Sequence, residues 1–89
     1  MVRLLPGPWR GDPPLAVWVN LLRPAERLSL KVFTTSYRKV AEWDFGPAPV
    51  GGSTWALDPA PAARLSNGIY YVVLRKPFGQ IQTKWLILR

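Results

Sequence analysis

Prolines and glycines are spaced so closely along this chain that it has little room for long helices. Ten prolines and seven glycines occur among its 89 residues. Proline removes a backbone N–H and kinks a helix, and glycine weakens a helix interior. Because the intervening segments are short, the sequence predicts an all-β fold in which short strands are joined by turns.

The alternation of apolar and polar residues locates the strands. It is clearest in residues 28–37, LSLKVFTTSY, where Leu28, Leu30 and Val32 would share one face of a half-buried strand. Residues 1–14 are predicted to be an extended, Pro/Gly-rich lead-in anchored by Trp9, followed by a single domain over residues 15–89. Within that domain we expect further strands at residues 14–22, 38–45, 53–58, 69–75 and about 81–88, and one helical turn at 62–65. This pattern fits either a sandwich or a small barrel.

The segment LSNGIYYVVL, residues 65–74, has an Asn67-Gly68 turn directly before six apolar or aromatic residues. Asn-Gly predicts a positive φ at Gly68. A platform that stacks a ligand would expose aromatic rings beside basic or polar neighbours. The strand after Gly68 is apolar on both faces, so we interpret it as a central strand covered by the core on one side and by loops on the other.

The chain contains no Cys and no His. Disulfides and cysteine-based zinc sites are therefore excluded, and the usual general base and commonest metal ligand are missing. Glu42 and Asp44 are spaced like neighbours on one strand face, but nothing around them would separate their pKa values, so a solvated edge is the better interpretation. We expect no enzyme activity, no cofactor and no metal site.

The net charge is +7. Such a charge can indicate nucleic acid, anionic lipid or an acidic protein as partner. The basic residues are spread along the chain, which is more typical of a solubilising surface, so nucleic acid is not the expected partner. No apolar run approaches the roughly 20 residues of a membrane helix, and the apolar run at the start is too short for a signal peptide.

Five tryptophans are many for this length. Large aromatic side chains commonly fill the core of a small sandwich and cover its open ends. The alternative is an exposed Trp patch that binds a glycan or a partner protein. The sequence favours the core without excluding the patch.

The order of motifs resembles the immunoglobulin-like domain of flagellar hook-capping proteins, and it is similar to the type IX secretion sorting domains that end many exported bacterial surface proteins. The resemblance covers roughly residues 6–89. Gly7 replaces the family's Asn in the opening motif, and Tyr37 replaces its turn Gly. The matching segments are PGPW (6–9), LSLKVFTTSYRKV (28–40), PVGGSTWALD (49–58), LSNGIYYVVL (65–74) and TKWLILR (83–89).

This resemblance implies a small immunoglobulin- or fibronectin-III-like antiparallel β-sandwich of about six to seven strands. It further implies an extracellular or cell-surface location and a non-catalytic role as a protein-interaction or assembly module, with the parent chain, other subunits or the protein itself as partner. A nucleic-acid-binding small β-barrel and a carbohydrate-binding sandwich remain the alternatives. The candidate interaction residues are Lys84 and Leu86 on the C-terminal strand, together with the aromatic residues Phe33 and Trp18.

Overall fold

The computed structural model describes residues 1–89 as seven β-strands and one short 3-10 helix. In chain order these are β1 (Val2–Leu5), β2 (Leu15–Leu21), β3 (Leu28–Phe33), β4 (Lys39–Phe45), β5 (Gly51–Leu57), the 3-10 helix (Ala60–Ala62), β6 (Gly68–Lys76) and β7 (Gly79–Ile87). One sheet has the strand order β1-β2-β5 and the other the order β4-β3-β6-β7. No helix is long and apolar enough to cross a membrane.

The two sheets enclose one hydrophobic core of 21 buried residues. Alternate residues of each strand supply it because successive side chains of a strand point to opposite faces. Leu28, Leu30 and Val32 of β3, for example, are all fully buried. Each such side chain stabilises the fold by about 1.5–3 kcal/mol. The predicted all-β sandwich is therefore confirmed.

Strand β1 corrects the prediction of an extended lead-in. Residues 2–5 pair antiparallel with β2, so the sandwich begins at Val2 and not at residue 15. Trp9 then crosses to the other sheet, where its N–H donates to the Leu86 carbonyl at 2.9 Å and its carbonyl accepts from the Leu88 N–H at 2.8 Å. Its ring is fully buried and stacks on Trp85 with 5.5 Å between ring centroids. The expected role of Trp9 as an anchor is confirmed.

Strand β6 is central, as its two apolar faces predicted, because it lies between β3 and β7. Tyr70, Val72 and Leu74 point into the core and are buried. The expected cover of loops over the opposite face is only partial. Ile69 on that face is 52% exposed.

The connection that enters β6 resembles a tyrosine corner, a feature of immunoglobulin-like sandwiches. The hydroxyl of buried Tyr70 donates to the Ser66 carbonyl at 2.7 Å, four residues upstream. Asn67 lies at a bend, not in a hairpin, because β5 and β6 belong to different sheets, and its side-chain oxygen accepts from the Arg89 N–H at 3.0 Å. Gly68 has φ +148°, so the predicted positive φ is confirmed.

Two hairpins complete the four-stranded sheet. The β6–β7 hairpin was predicted, but its loop is shorter than residues 76–80 because Lys76 already pairs with Gly79. Strand β3 ends at Phe33 and does not extend to residue 37. A tight turn follows, in which the Tyr37 N–H donates to the Thr34 carbonyl at 2.9 Å.

Candidate functional site: the outer face of the four-stranded sheet

A row of basic and aromatic residues crosses the outer face of the four-stranded sheet. Phe33 of β3 lies opposite Lys39 of β4 on one side and Tyr71 of β6 on the other. Tyr71 in turn lies opposite Lys84 of β7. Directly opposed residues in antiparallel strands have neighbouring side chains, so the order across the sheet is Lys, Phe, Tyr, Lys. This order follows from the strand pairing and not from any run in the sequence.

Tyr37 adds a third aromatic ring to this face. It belongs to the β3–β4 turn and stacks on Tyr71, with 5.2 Å between ring centroids and 14° between ring planes. Its φ of +64° is a left-handed conformation that bulky residues rarely adopt. The turn position that normally suits glycine is therefore occupied by a side chain that extends the aromatic surface, and 62% of Tyr37 is exposed.

Aliphatic side chains continue the surface toward the end of β7. Ile69 pairs with Leu86, and Leu86 is 40% exposed. Ile69 also lies two residues before Tyr71 on the same face of β6. We name this continuous surface the aromatic patch; it consists of Phe33, Tyr37, Ile69, Tyr71 and Leu86.

One carboxylate offsets part of the positive charge beside the patch. Glu42 accepts a hydrogen bond from the Lys39 ammonium at 2.8 Å and lies 3.9 Å from the Lys31 ammonium. The hydrogen bond from Lys39, together with the positive charge of both lysines, lowers the pKa of Glu42. Lys84 makes no ion pair. The patch is thus bordered on β3 and β4 by two lysines that share one carboxylate, and on β7 by one unpaired ammonium.

The four predicted interaction residues divide between the two sheets. Phe33, Lys84 and Leu86 come together in or beside the aromatic patch. Trp18 lies on the outer face of the three-stranded sheet, half-buried between Arg3 and Thr54, and does not contribute. Asn67 and Gly68 shape the entrance to β6 and are not part of the surface.

Tyr37, Ile69 and Tyr71 were not among the interaction residues predicted from the sequence. Ile69 and Tyr71 had a usable signal, since they alternate with the core residues of β6 and therefore had to lie on the opposite face. Tyr37 had none, because its stacking depends on the geometry of a turn.

The tryptophans do not form an exposed cluster. Trp9, Trp43 and Trp85 are buried, and Trp18 and Trp55 are half-buried. Trp55 stacks on Phe45 at 5.4 Å between ring centroids and closes one side of the core. The prediction that tryptophans mainly fill the core is confirmed, and the exposed Trp patch of the carbohydrate alternative is not formed.

A separate cleft of about 570 Å³ lies near the opposite end of the four-stranded sheet. Its lining combines Arg27, Arg75 and Lys76 with the carboxylates Glu26 and Asp44. Because both signs of charge occur there, its electrostatics do not select an anion or a cation.

No protein-family model and no curated protein matches this chain. The likeness to hook-capping domains therefore stays a prediction from the sequence motifs. The geometry of the aromatic patch is the principal guide to function.

Proposed function

We propose that the protein is a non-catalytic interaction module that binds a partner protein through the aromatic patch. The observation that carries the proposal is the combination of exposed Tyr37, Ile69 and Leu86 in one continuous surface around Tyr71. Aromatic residues are enriched at the energetically dominant positions of protein interfaces, and clustered exposed apolar groups mark such interfaces.

The motif resemblance supports the same role. In the proposal, the sandwich is an appended domain or a subunit of an exported or cell-surface bacterial assembly. A rigid sheet suits this task because it presents the patch with little loss of side-chain freedom on binding.

The chemistry beside the patch favours protein over nucleic acid. Lys31 and Lys39 already interact with Glu42, and Asp44 projects from the same strand face, so a phosphate backbone would meet carboxylates on the β4 side. The aliphatic side chains Ile69 and Leu86 suit an apolar protein surface better than they suit stacked bases.

The test compares affinity capture by three forms of the protein from the cells that produce it. Ile69→Ser/Leu86→Ser removes apolar groups from the patch, whereas Leu22→Ser/Val50→Ser removes exposed apolar groups elsewhere and is the matched control. We expect the wild type and the control to retain the same partner protein after nuclease treatment, and the patch variant to lose it. Equal retention by both variants would contradict the proposal.

Single-stranded nucleic acid is a second candidate because of the Lys39–Phe33–Tyr71–Lys84 row. Base stacking on aromatic side chains contributes about 1–3 kcal/mol per base. The test is fluorescence anisotropy with a labelled oligonucleotide at physiological salt, with Tyr71→Ala as the patch variant and Trp18→Ala as an aromatic control on the other sheet. We expect weak binding that salt abolishes. Submicromolar binding that is lost only in Tyr71→Ala would favour nucleic acid instead.

A further inference from the structure

We propose that the outer edge of β7 binds an extended acidic peptide segment of a partner protein, which adds as a strand beside residues 80–84. This site adjoins the aromatic patch at Leu86 but differs from it, since it uses the backbone edge of the sheet and the groove beside it. Addition of a strand to an exposed sheet edge is a general mode of peptide recognition.

The backbone of β7 has unused hydrogen-bonding groups along this edge. In an antiparallel pair, alternate residues direct both backbone groups toward the neighbouring strand or away from it. The backbone groups of Leu86 and Leu88 point away from β6, because the Leu86 carbonyl and the Leu88 N–H form hydrogen bonds with Trp9. The ladder between β6 and β7 runs without a register shift, so Gln80, Gln82 and Lys84 direct their N–H and C=O groups away as well.

Trp9 demonstrates that this edge accepts another strand. It forms a parallel bridge with Ile87 through two backbone hydrogen bonds of 2.9 and 2.8 Å. Those bonds occupy only the last residues of the edge. The three outward-directed residues before them span about 13 Å, at roughly 3.3 Å per residue.

The edge of β7 also lacks the usual protection against pairing. Edge strands are commonly shielded by charged side chains, proline or bulges. Strand β4, the opposite edge of the same sheet, carries Lys39, Glu42 and Asp44. Strand β7 has nine residues with Lys84 as their single charge, and it contains no proline.

A groove of about 550 Å³ adjoins this edge and sets the chemistry of the partner. Its lining comes from β1, the Gly7-Pro8 segment and residues 83–86. Arg3 and Lys84 are its charged side chains, both are exposed without an ion pair, and no carboxylate lines it. Trp85 in its wall has a buried indole N–H without an acceptor. Charge complementarity therefore selects an acidic strand.

The test uses a fluorescein-labelled peptide of alternating Thr and Glu, about eight residues long so that it spans the edge. The matched peptide replaces each Glu with Lys. We expect the acidic peptide to bind the wild-type protein at least ten-fold more tightly than the basic one at moderate salt. Arg3→Glu/Lys84→Glu should reverse this preference. Equal affinities for the two peptides, or no binding of either at millimolar concentration, would overturn the proposal.

Two further measurements locate the peptide. Gln82→Pro removes one outward-directed N–H without removing a bond to β6, and Gln82→Ala is its control. We expect at least ten-fold weaker binding for Gln82→Pro and no change for Gln82→Ala. An N-methylated acidic peptide should bind the wild-type protein at least ten-fold more weakly than the unmodified acidic peptide does. Binding of the unmodified peptide should slow amide hydrogen exchange at Gln80, Gln82 and Lys84. Protection confined to the aromatic patch, or unchanged affinity after N-methylation, would show that no strand is added.

Discussion

Replacement of Tyr37 separates the folding role of this residue from its proposed binding role. Tyr37→Gly removes the side chain and relieves the left-handed backbone, whereas Tyr37→Ala removes the side chain and leaves the strain. The two variants lose the same stacking on Tyr71. The difference between them therefore measures the strain of holding a side chain at φ +64°, less the effect of glycine's greater freedom in the unfolded chain.

The magnitudes follow from three contributions. Loss of the aromatic stack costs about 0.5–1.5 kcal/mol. In Tyr37→Gly, relief of left-handed strain stabilises the folded state by about 1–2 kcal/mol. The greater freedom of glycine in the unfolded chain destabilises the folded state by about 0.4–1 kcal/mol. We therefore expect Tyr37→Ala to lower the free energy of unfolding by about 1 kcal/mol and Tyr37→Gly to leave it nearly unchanged.

Urea unfolding followed by tryptophan fluorescence measures both values. For a denaturant slope of roughly 1 kcal/mol per molar, the Ala variant should unfold about 1 M earlier than the wild type and the Gly variant within about 0.3 M of it. Both variants should lose affinity for the partner of the aromatic patch. If Tyr37→Gly unfolds as early as Tyr37→Ala, the reasoning about backbone strain is wrong.

Two other substitutions and one deletion test the fold. Gly68→Val should lower the free energy of unfolding in urea by more than about 1 kcal/mol. Backbone strain at φ +148° is the cause, because no atom lies within 4 Å of the added Cβ. An unchanged unfolding midpoint would contradict this. Tyr70→Phe should cost about 1 kcal/mol by removing its hydrogen bond to a backbone carbonyl, and no loss in thermal unfolding would show that the corner is dispensable. Deletion of residues 83–89 removes buried Trp85 and Ile87. Each contributes about 1.5–3 kcal/mol to a free energy of unfolding of about 5–15 kcal/mol, so the deletion should abolish cooperative unfolding. A soluble, cooperatively folded product would contradict this.

The sequence was sufficient for the strands whose alternation is strong. Residues 28–33 show the period of two expected of a strand beside a core and form β3, although the predicted strand continued to residue 37. Residues 69–75, which are apolar on both faces and follow a turn signal, also form the predicted strand. Strand β1 escaped detection because residues 2–5 are too few for a periodic pattern and lie beside prolines. Its pairing with β2 is a tertiary contact that local propensity does not report.

The candidate site was only partly predictable for a related reason. Phe33, Lys84 and Leu86 were identified individually, but their proximity depends on the order β3-β6-β7 within one sheet. Trp18 had the same local character and was placed by topology on the other sheet. Alternation specifies which residues of a strand share a face; the pairing of strands decides which faces become one surface.

Site-specific photo-crosslinking tests directly whether the aromatic patch contacts a partner protein. A benzophenone-bearing residue replaces exposed Ile69 in the aromatic patch or exposed Leu22 outside it, and the proteins are irradiated in the cells that produce them. Unfolding in urea first establishes that both proteins are folded. We predict a defined protein adduct from position 69 that is absent from position 22 and is lost with Phe33→Ala. Adducts that are the same from both positions, or nucleic acid as the species attached at position 69, would contradict it.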